Sequence, residues 1–274
     1  MTRPRVYKTE AVVFKRTRFG EADGILTLYT PYLGKFQAVA KGVNRPGSKL
    51  GGHVEILNHS MLMLAQGRNL DIITQSQTLN GFLPLRSDLW RTSCALYVAE
   101  LTDCFTAEHI SDPPIFELLL DTLHRLCQAK DDGLVLRYFE LHLLDHLGYR
   151  PQLHQCPGCH CQLEPVTNSF SPSAGGVLCP NCSSSEAATR PLSTNALKVL
   201  RLFQRSEYAN ASQVRVNREL SSELERLMRE YIRYLLEREM KSNRWLDRLR
   251  REGIGKSAPI LHQRPPMQGP HLSK

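Results

Sequence analysis

The pattern of apolar and polar positions divides the chain into a strand-rich start and a helical remainder. Residues 5–80 carry short runs rich in Val, Ile, Leu, Thr and Tyr, at Val6–Arg16, Gly24–Thr30, Lys35–Val43, His53–Ala65 and Asp71–Thr78. Turn signals bound them: Phe19-Gly20, Leu33-Gly34, the stretch 44–51 and the stretch 66–69. Five short strands in so few residues predict a small barrel. The five-stranded OB-fold is the common barrel of that count, with SH3-like barrels an alternative. Leu26, Leu28 and Tyr29 break the clean alternation of a half-buried strand. From residue 87 the period changes. Leu89, Trp90, Leu96, Tyr97, Leu101 and Phe105 recur at three- and four-residue spacing. A second helix begins at Pro113-Pro114 with Asp112 as its cap, and a third runs from Leu134 to Leu147 and stops at Gly148. Residues 151–190 read as loop. Ser193 or Thr194 then caps a helix through Phe203, and a single long helix is expected over Asn217–Arg251. From Gly255 the chain is proline-bearing and has little to bury, so disorder is expected there.

The predicted organisation is α+β and multidomain. A barrel occupies 1–80, a helical domain 81–150 and 191–252, a metal module 151–190, and a disordered tail 253–274. Uninterrupted apolar runs such as Met61 to Ala65 are far short of the roughly 20 residues a membrane helix needs. Lys8 and Glu10 interrupt any secretory signal. A cytoplasmic chain is expected, whose 8 cysteines stay reduced and free to bind metal. The net charge of +8 is unevenly placed: residues 1–80 carry net +6, 81–150 net −5, 151–190 net −1 and 191–274 net +8. Basic ends suit polyanions, and the acidic middle suits a protein partner.

Two Cys-x-x-Cys pairs, Cys156–Cys159 and Cys179–Cys182, are separated by 19 residues. That spacing places four thiolates in a tetrahedron around zinc, with no position left for water, so one structural Zn2+ is expected. His160 and Cys161 are spare donors beside the first pair. Cys94, Cys104 and Cys127 occupy apolar helical positions and read as core.

Lys15, Arg16 and Arg18 flank the first turn, and Lys35, Lys41, Arg45 and Lys49 follow in the third strand and the loop after it. These seven cations are the candidate phosphate contacts. Among the interleaved aromatics Phe14, Phe19, Tyr29, Tyr32 and Phe36, most belong to a barrel core, and one or two should be free to stack on bases. In the last helix, Arg and Glu alternate at helical spacing, which predicts pairs such as Glu225–Arg229 and Glu237–Lys241. No phosphate-binding glycine loop, nucleophile elbow or zinc-protease motif occurs. His142 and His146 lack a third ligand, and Asp131-Asp132 reads as a helix start, so no enzyme is expected.

Glu10-Ala11-Val12-Val13, Gly20-Glu21-Ala22-Asp23, Leu26–Thr30, Gly34-Lys35 and Ala38–Val43 resemble the N-terminal barrel of the RecO family of bacterial recombination mediators. The cysteine pairs with Phe170-Ser171 and Gly175-Gly176, and Lys241-Ser242 with Leu246, resemble it too; His160 and Cys161 depart from it. The resemblance covers residues 6–250. It implies an OB-fold followed by a helical domain with an inserted zinc module. It implies a nucleoid-associated DNA repair and recombination protein that binds single- and double-stranded DNA and anneals complementary strands. It further implies a complex with RecR, contact with the acidic tail of single-stranded DNA-binding protein, and indirect help in loading RecA. A zinc-containing protein adaptor and an RNA-binding protein are the alternatives from the residues alone.

Overall fold

The structure is a computed structural model and describes residues 5–186 and 188–255. Five strands come first: β1 (Val6–Phe19), β2 (Asp23–Thr30), β3 (Gly34–Ala40), β4 (His59–Ala65) and β5 (Asp71–Asn80). Their pairing order is β1-β2-β3-β5-β4, and β4 returns to β1. All pairs are antiparallel except β3 with β5. Strand β1 serves two neighbours because a register shift between Val13 and Lys15 bends it. Residues 6–12 pair with β4 and residues 12–19 with β2. This is the expected OB-type barrel. The expected strand starting at His53 begins instead at His59, since Gly51–His53 form a 3-10 turn.

Ala11, Val13, Leu26, Leu28, Phe36, Ala38, Ala40, Leu62, Leu64 and Ile73 fill the barrel. Val12, Phe14 and Tyr29 point the other way, yet they too are buried, in the core of the helical part. Phe14 stacks on Tyr29 at 5.3 Å between ring centroids, and Tyr29 meets Phe116 at 6.1 Å. The irregular pattern in β2 therefore reflects burial on both faces.

A short turn, α1 (Leu83–Arg86), leads to α2 (Leu89–Phe105), α3 (Pro113–Gln128) and α4 (Asp132–His146). Asp88, Asp112 and Asp131 each accept a hydrogen bond from the backbone N–H three residues on, at 3.1 Å, satisfying a donor that a helix start leaves free. The α2–α3 connection lies on the barrel. His109 N–H donates to the Lys35 carbonyl at 2.8 Å, and a Cβ at Gly34 would stand 2.1 Å from the Ile110 carbonyl oxygen. Inside the bundle, Glu140 accepts from the Tyr97 hydroxyl at 2.6 Å and from the buried Arg137 guanidinium. Burial raises the Glu140 pKa, and Arg137 chiefly opposes the rise.

The segment expected to be loop contains structure: β6 (Asn168–Ser171), β7 (Gly176–Leu178), α5 (Pro180–Ser183) and β8 (Arg190–Leu192), with β6 central in the three-stranded sheet. Strands of three or four residues leave almost no periodicity to read. Then come α6 (Thr194–Arg205), capped by Ser193, α7 (Tyr208–Ala211), α8 (Arg218–Leu236) and α9 (Lys241–Arg251). The single last helix was one expectation too many. The chain turns at Glu237, which adopts a left-handed φ of 54°. Neither expected Arg–Glu pair forms: Arg229 binds Glu239 and Asp247 across the turn, and Glu225 accepts from Arg250. Helix α9 folds back onto α2. The Glu100 carboxylate accepts from Lys241 N–H at 3.0 Å and Ser242 N–H at 2.8 Å, and Trp245 donates to the Ser93 hydroxyl. Residues 253–255 follow α9 as a turn against Trp90; the rest of the expected disordered tail, from 256, lies outside the described residues.

Candidate metal centre and nucleic-acid surface

The four cysteines of the two pairs converge. The Sγ atoms of Cys156, Cys159, Cys179 and Cys182 all lie within 4.8 Å of one another. Cys156 and Cys159 sit on a turn closed by His160 N–H to the Cys156 carbonyl at 2.8 Å, with His160 itself at φ 60°. Cys179 immediately precedes α5 and Cys182 lies within it. Gly158, between Cys156 and Cys159, eases their approach to the second pair, because a Cβ there would stand a tight 3.1 Å from the Cys182 sulfur. A tetrahedron of thiolates at about 2.3 Å from a metal has sulfurs about 3.8 Å apart, and Cys159 and Cys179 are 3.7 Å apart. The donor set fits a metal ion of that geometry. Burial opposes ionisation of Cys156, but the amide N–H groups of Cys179, Cys159 and Gly158 outweigh it and bring the thiol pKa down to about 6. The Cys161 sulfur, 3.3 Å from that of Cys159, lies outside the four-membered group, and so does His160. His142 and His146 form no metal site: His142 contacts the Phe203 carbonyl at 2.9 Å and stacks on Tyr138.

The seven candidate cations fall in different surroundings. Lys35 is withdrawn into the seam between barrel and helices, its side chain only 11% exposed. Its Nζ donates to the Asp103 carbonyl at 2.6 Å and lies 3.0 Å from the Asp103 carboxylate. Lys15 reaches the same carboxylate at 2.5 Å from a side chain 59% exposed. Burial would raise the Asp103 pKa, but the two lysines overcome it and hold the carboxyl below its ordinary value. Arg16 braces the loop after β3, donating to Asn44 Oδ1 at 2.8 Å and to the carbonyls of Val43 and Gly51.

Arg18, Lys41, Arg45 and Lys49 are exposed, and none is ion-paired among the described residues. They share one end of the barrel because the β1–β2 turn and the loop 41–51 are tied together. Asp23 Oδ1 accepts from Gly42 N–H at 2.7 Å, the Asp23 carbonyl accepts from Asn44 Nδ2 at 2.8 Å, and Asn44 N–H donates to the Ala22 carbonyl at 2.8 Å. Val43 plugs the barrel beneath them. Phe19, 54% exposed, stands at the same end; Tyr32, 74% exposed, lies on the β2–β3 turn at the other. Phe14, Tyr29 and Phe36 are buried.

Local sequence pattern assigns no role to Asp23, Asp103 or Glu100. The first works through backbone amides and the other two through residues distant in sequence, so no local spacing marks them.

Two family models match the chain in succession. The family model described as recombination protein O N terminal matches residues 1–82, and that described as recombination protein O C terminal matches residues 86–244. A protein of Dehalococcoides mccartyi named DNA repair protein RecO is 44% identical over 254 residues, covering 93% of this chain and 100% of that protein. A protein of the same name from Roseiflexus sp. is 44% identical over 248 residues, covering 90% of this chain and 87% of its own. Another from Desulforamulus reducens is 35% identical over 256 residues, covering 93% and 100%.

Proposed function

Because the chain belongs to the RecO family of DNA repair proteins, we propose that it binds single- and double-stranded DNA through the Asp23-braced end of its barrel and anneals complementary strands. The observation that carries the reading is the set of four unpaired cations, Arg18, Lys41, Arg45 and Lys49, held at one end beside exposed Phe19. Cations there neutralise phosphates and release counterions, and an exposed ring stacks a base without reading its identity. Neutralising two strands lowers their repulsion, and base pairing supplies the free energy of annealing. No nucleotide hydrolysis is required, which accords with a non-enzymatic mediator. The family supports RecR, the acidic tail of single-stranded DNA-binding protein and, indirectly, RecA as partners. Lys15 and Lys35 hold the barrel to the helices instead of meeting phosphate.

The four-thiolate site holds one structural Zn2+. A full thiolate set offers no open coordination position, and the short strands around it gain their rigidity from the metal.

The test is fluorescence anisotropy with a bare oligonucleotide over a salt series. Changing Lys41, Arg45 and Lys49 to Ala removes three phosphate contacts, and the magnitude of the log-affinity against log-salt slope should fall by about 2 on single strands. Unchanged affinity and slope would overturn the assignment. No binding by the unaltered protein, even in dilute buffer, would favour the protein-adaptor reading.

A further inference from the structure

Helix α6 carries a second cationic row away from the barrel. Lys198, Arg201 and Arg205 recur at three and four residues, so they fall on one stripe of the helix. The opposite face, with Ala196, Leu197, Val199, Leu200 and Phe203, is buried. Arg201 Nε donates to the Leu153 carbonyl at 2.8 Å, which lays the segment carrying Arg150 and His154 along the same stripe. Burial first, then the positive fields of Arg201, Arg205 and Arg150, lower the His154 pKa, which marks how closely the cations gather. Asp145 pairs with Arg150, but among the described residues no carboxylate pairs with Lys198, Arg201 or Arg205.

We propose that this α6 stripe is a second phosphate-backbone site, which takes a nucleic-acid strand separate from the one on the barrel. From Lys198 to Arg205 the helix rises about 10 Å. Successive phosphates of one stacked strand are about 3.4 Å apart along the axis, so the row matches about three phosphates. Helix α6 packs on α4 and α8, whereas the barrel packs on α2 and α3. The two cationic surfaces therefore belong to different parts of the fold, as a protein that holds two strands at once requires. The second site rests on the nucleic-acid reading of the barrel end, and it deepens that reading by giving the complementary strand its own place.

The experiment compares the zinc-loaded full chain with Lys198→Glu/Arg205→Glu, leaving Arg201 in place because it positions Leu153. Short labelled oligonucleotides are titrated for stoichiometry, and complementary pairs are followed for annealing. The unaltered protein should bind two strands. The variant should bind one, with first-strand affinity within about two-fold, and should anneal roughly ten-fold more slowly at moderate salt. Thermal melting and zinc content confirm folding; if the Glu pair does not fold, Lys198→Gln/Arg205→Gln decides. A variant that still binds two strands and anneals at the original rate overturns the second site while leaving the barrel assignment intact. Single-strand stoichiometry in the unaltered protein, abolished by the Lys41/Arg45/Lys49 changes, does the same. Loss of all binding by the unaltered protein would overturn both.

Discussion

Side-chain carboxylates decide which cations of the barrel are free. Asp103 engages Lys15 and Lys35, and Asp23 orders the loop that displays Lys41, Arg45 and Lys49. Replacing Asp23 with Ala leaves the Gly42 amide without its carboxylate acceptor, and should cost about 1–2 kcal/mol of stability. It should also weaken oligonucleotide binding, although no cation is lost; urea titration and anisotropy measure the two effects. Asp103→Asn gives a pH-dependent result. The native carboxyl sits below its unfolded value, so its contribution is complete above about pH 4 and disappears as pH falls through the lower native value. The urea midpoint of the variant should therefore trail that of the unaltered protein at neutral pH and converge with it in acid. A constant gap at every pH would contradict the ion-pair account. The seven cations were legible in the sequence as candidates, but the division into free and engaged was not, because Asp103 lies 68 positions beyond Lys35.

Secondary-structure elements were legible in proportion to their length. The helices from Pro113 and Ser193 announce themselves by cap and periodicity, and both begin where expected. The metal module was legible through its cysteines and not through its strands. Its sheet has few residues to bury, with Phe170 resting on Tyr231 of α8 at 5.3 Å between ring centroids. Metal removal by a thiol-competitive chelator should accordingly release about one zinc per chain and melt this module. Amide exchange in β6, β7 and α5 should accelerate, while the barrel strands stay protected. Uniform acceleration throughout the chain would mean that the metal holds more than its own module. No local signal marks the break between α8 and α9, because Arg–Glu spacing continues through it. Glu100 of α2, which supplies the acceptor for the first amides of α9, has no counterpart in any local pattern.

At the scale of the molecule, the barrel keeps its own apolar interior and lends its outer face to the core of the bundle. Val12, Phe14, Tyr29 and Leu57 are contributed by the barrel side and join Phe82, Ile115 and Phe116 in the same cluster. Phe14→Ala should cost about 3–5 kcal/mol and lower the unfolding midpoint of both parts together, as read by amide exchange in β1 and in α3. Independent melting of the barrel would show that the two interiors are separable. The doubly buried β2 was visible in the sequence as a flawed alternation, but only the assembled fold explains it. Gly34 sets how close the two parts come. Since even a methyl group at that position would collide with the Ile110 carbonyl, the smallest side chain in the repertoire is the hinge pin of the assembly. Substituting it would pry the connection between α2 and α3 off the strand, disturb the last turn of α2 that carries Asp103, and release Lys35 from the seam in which that carboxylate holds it.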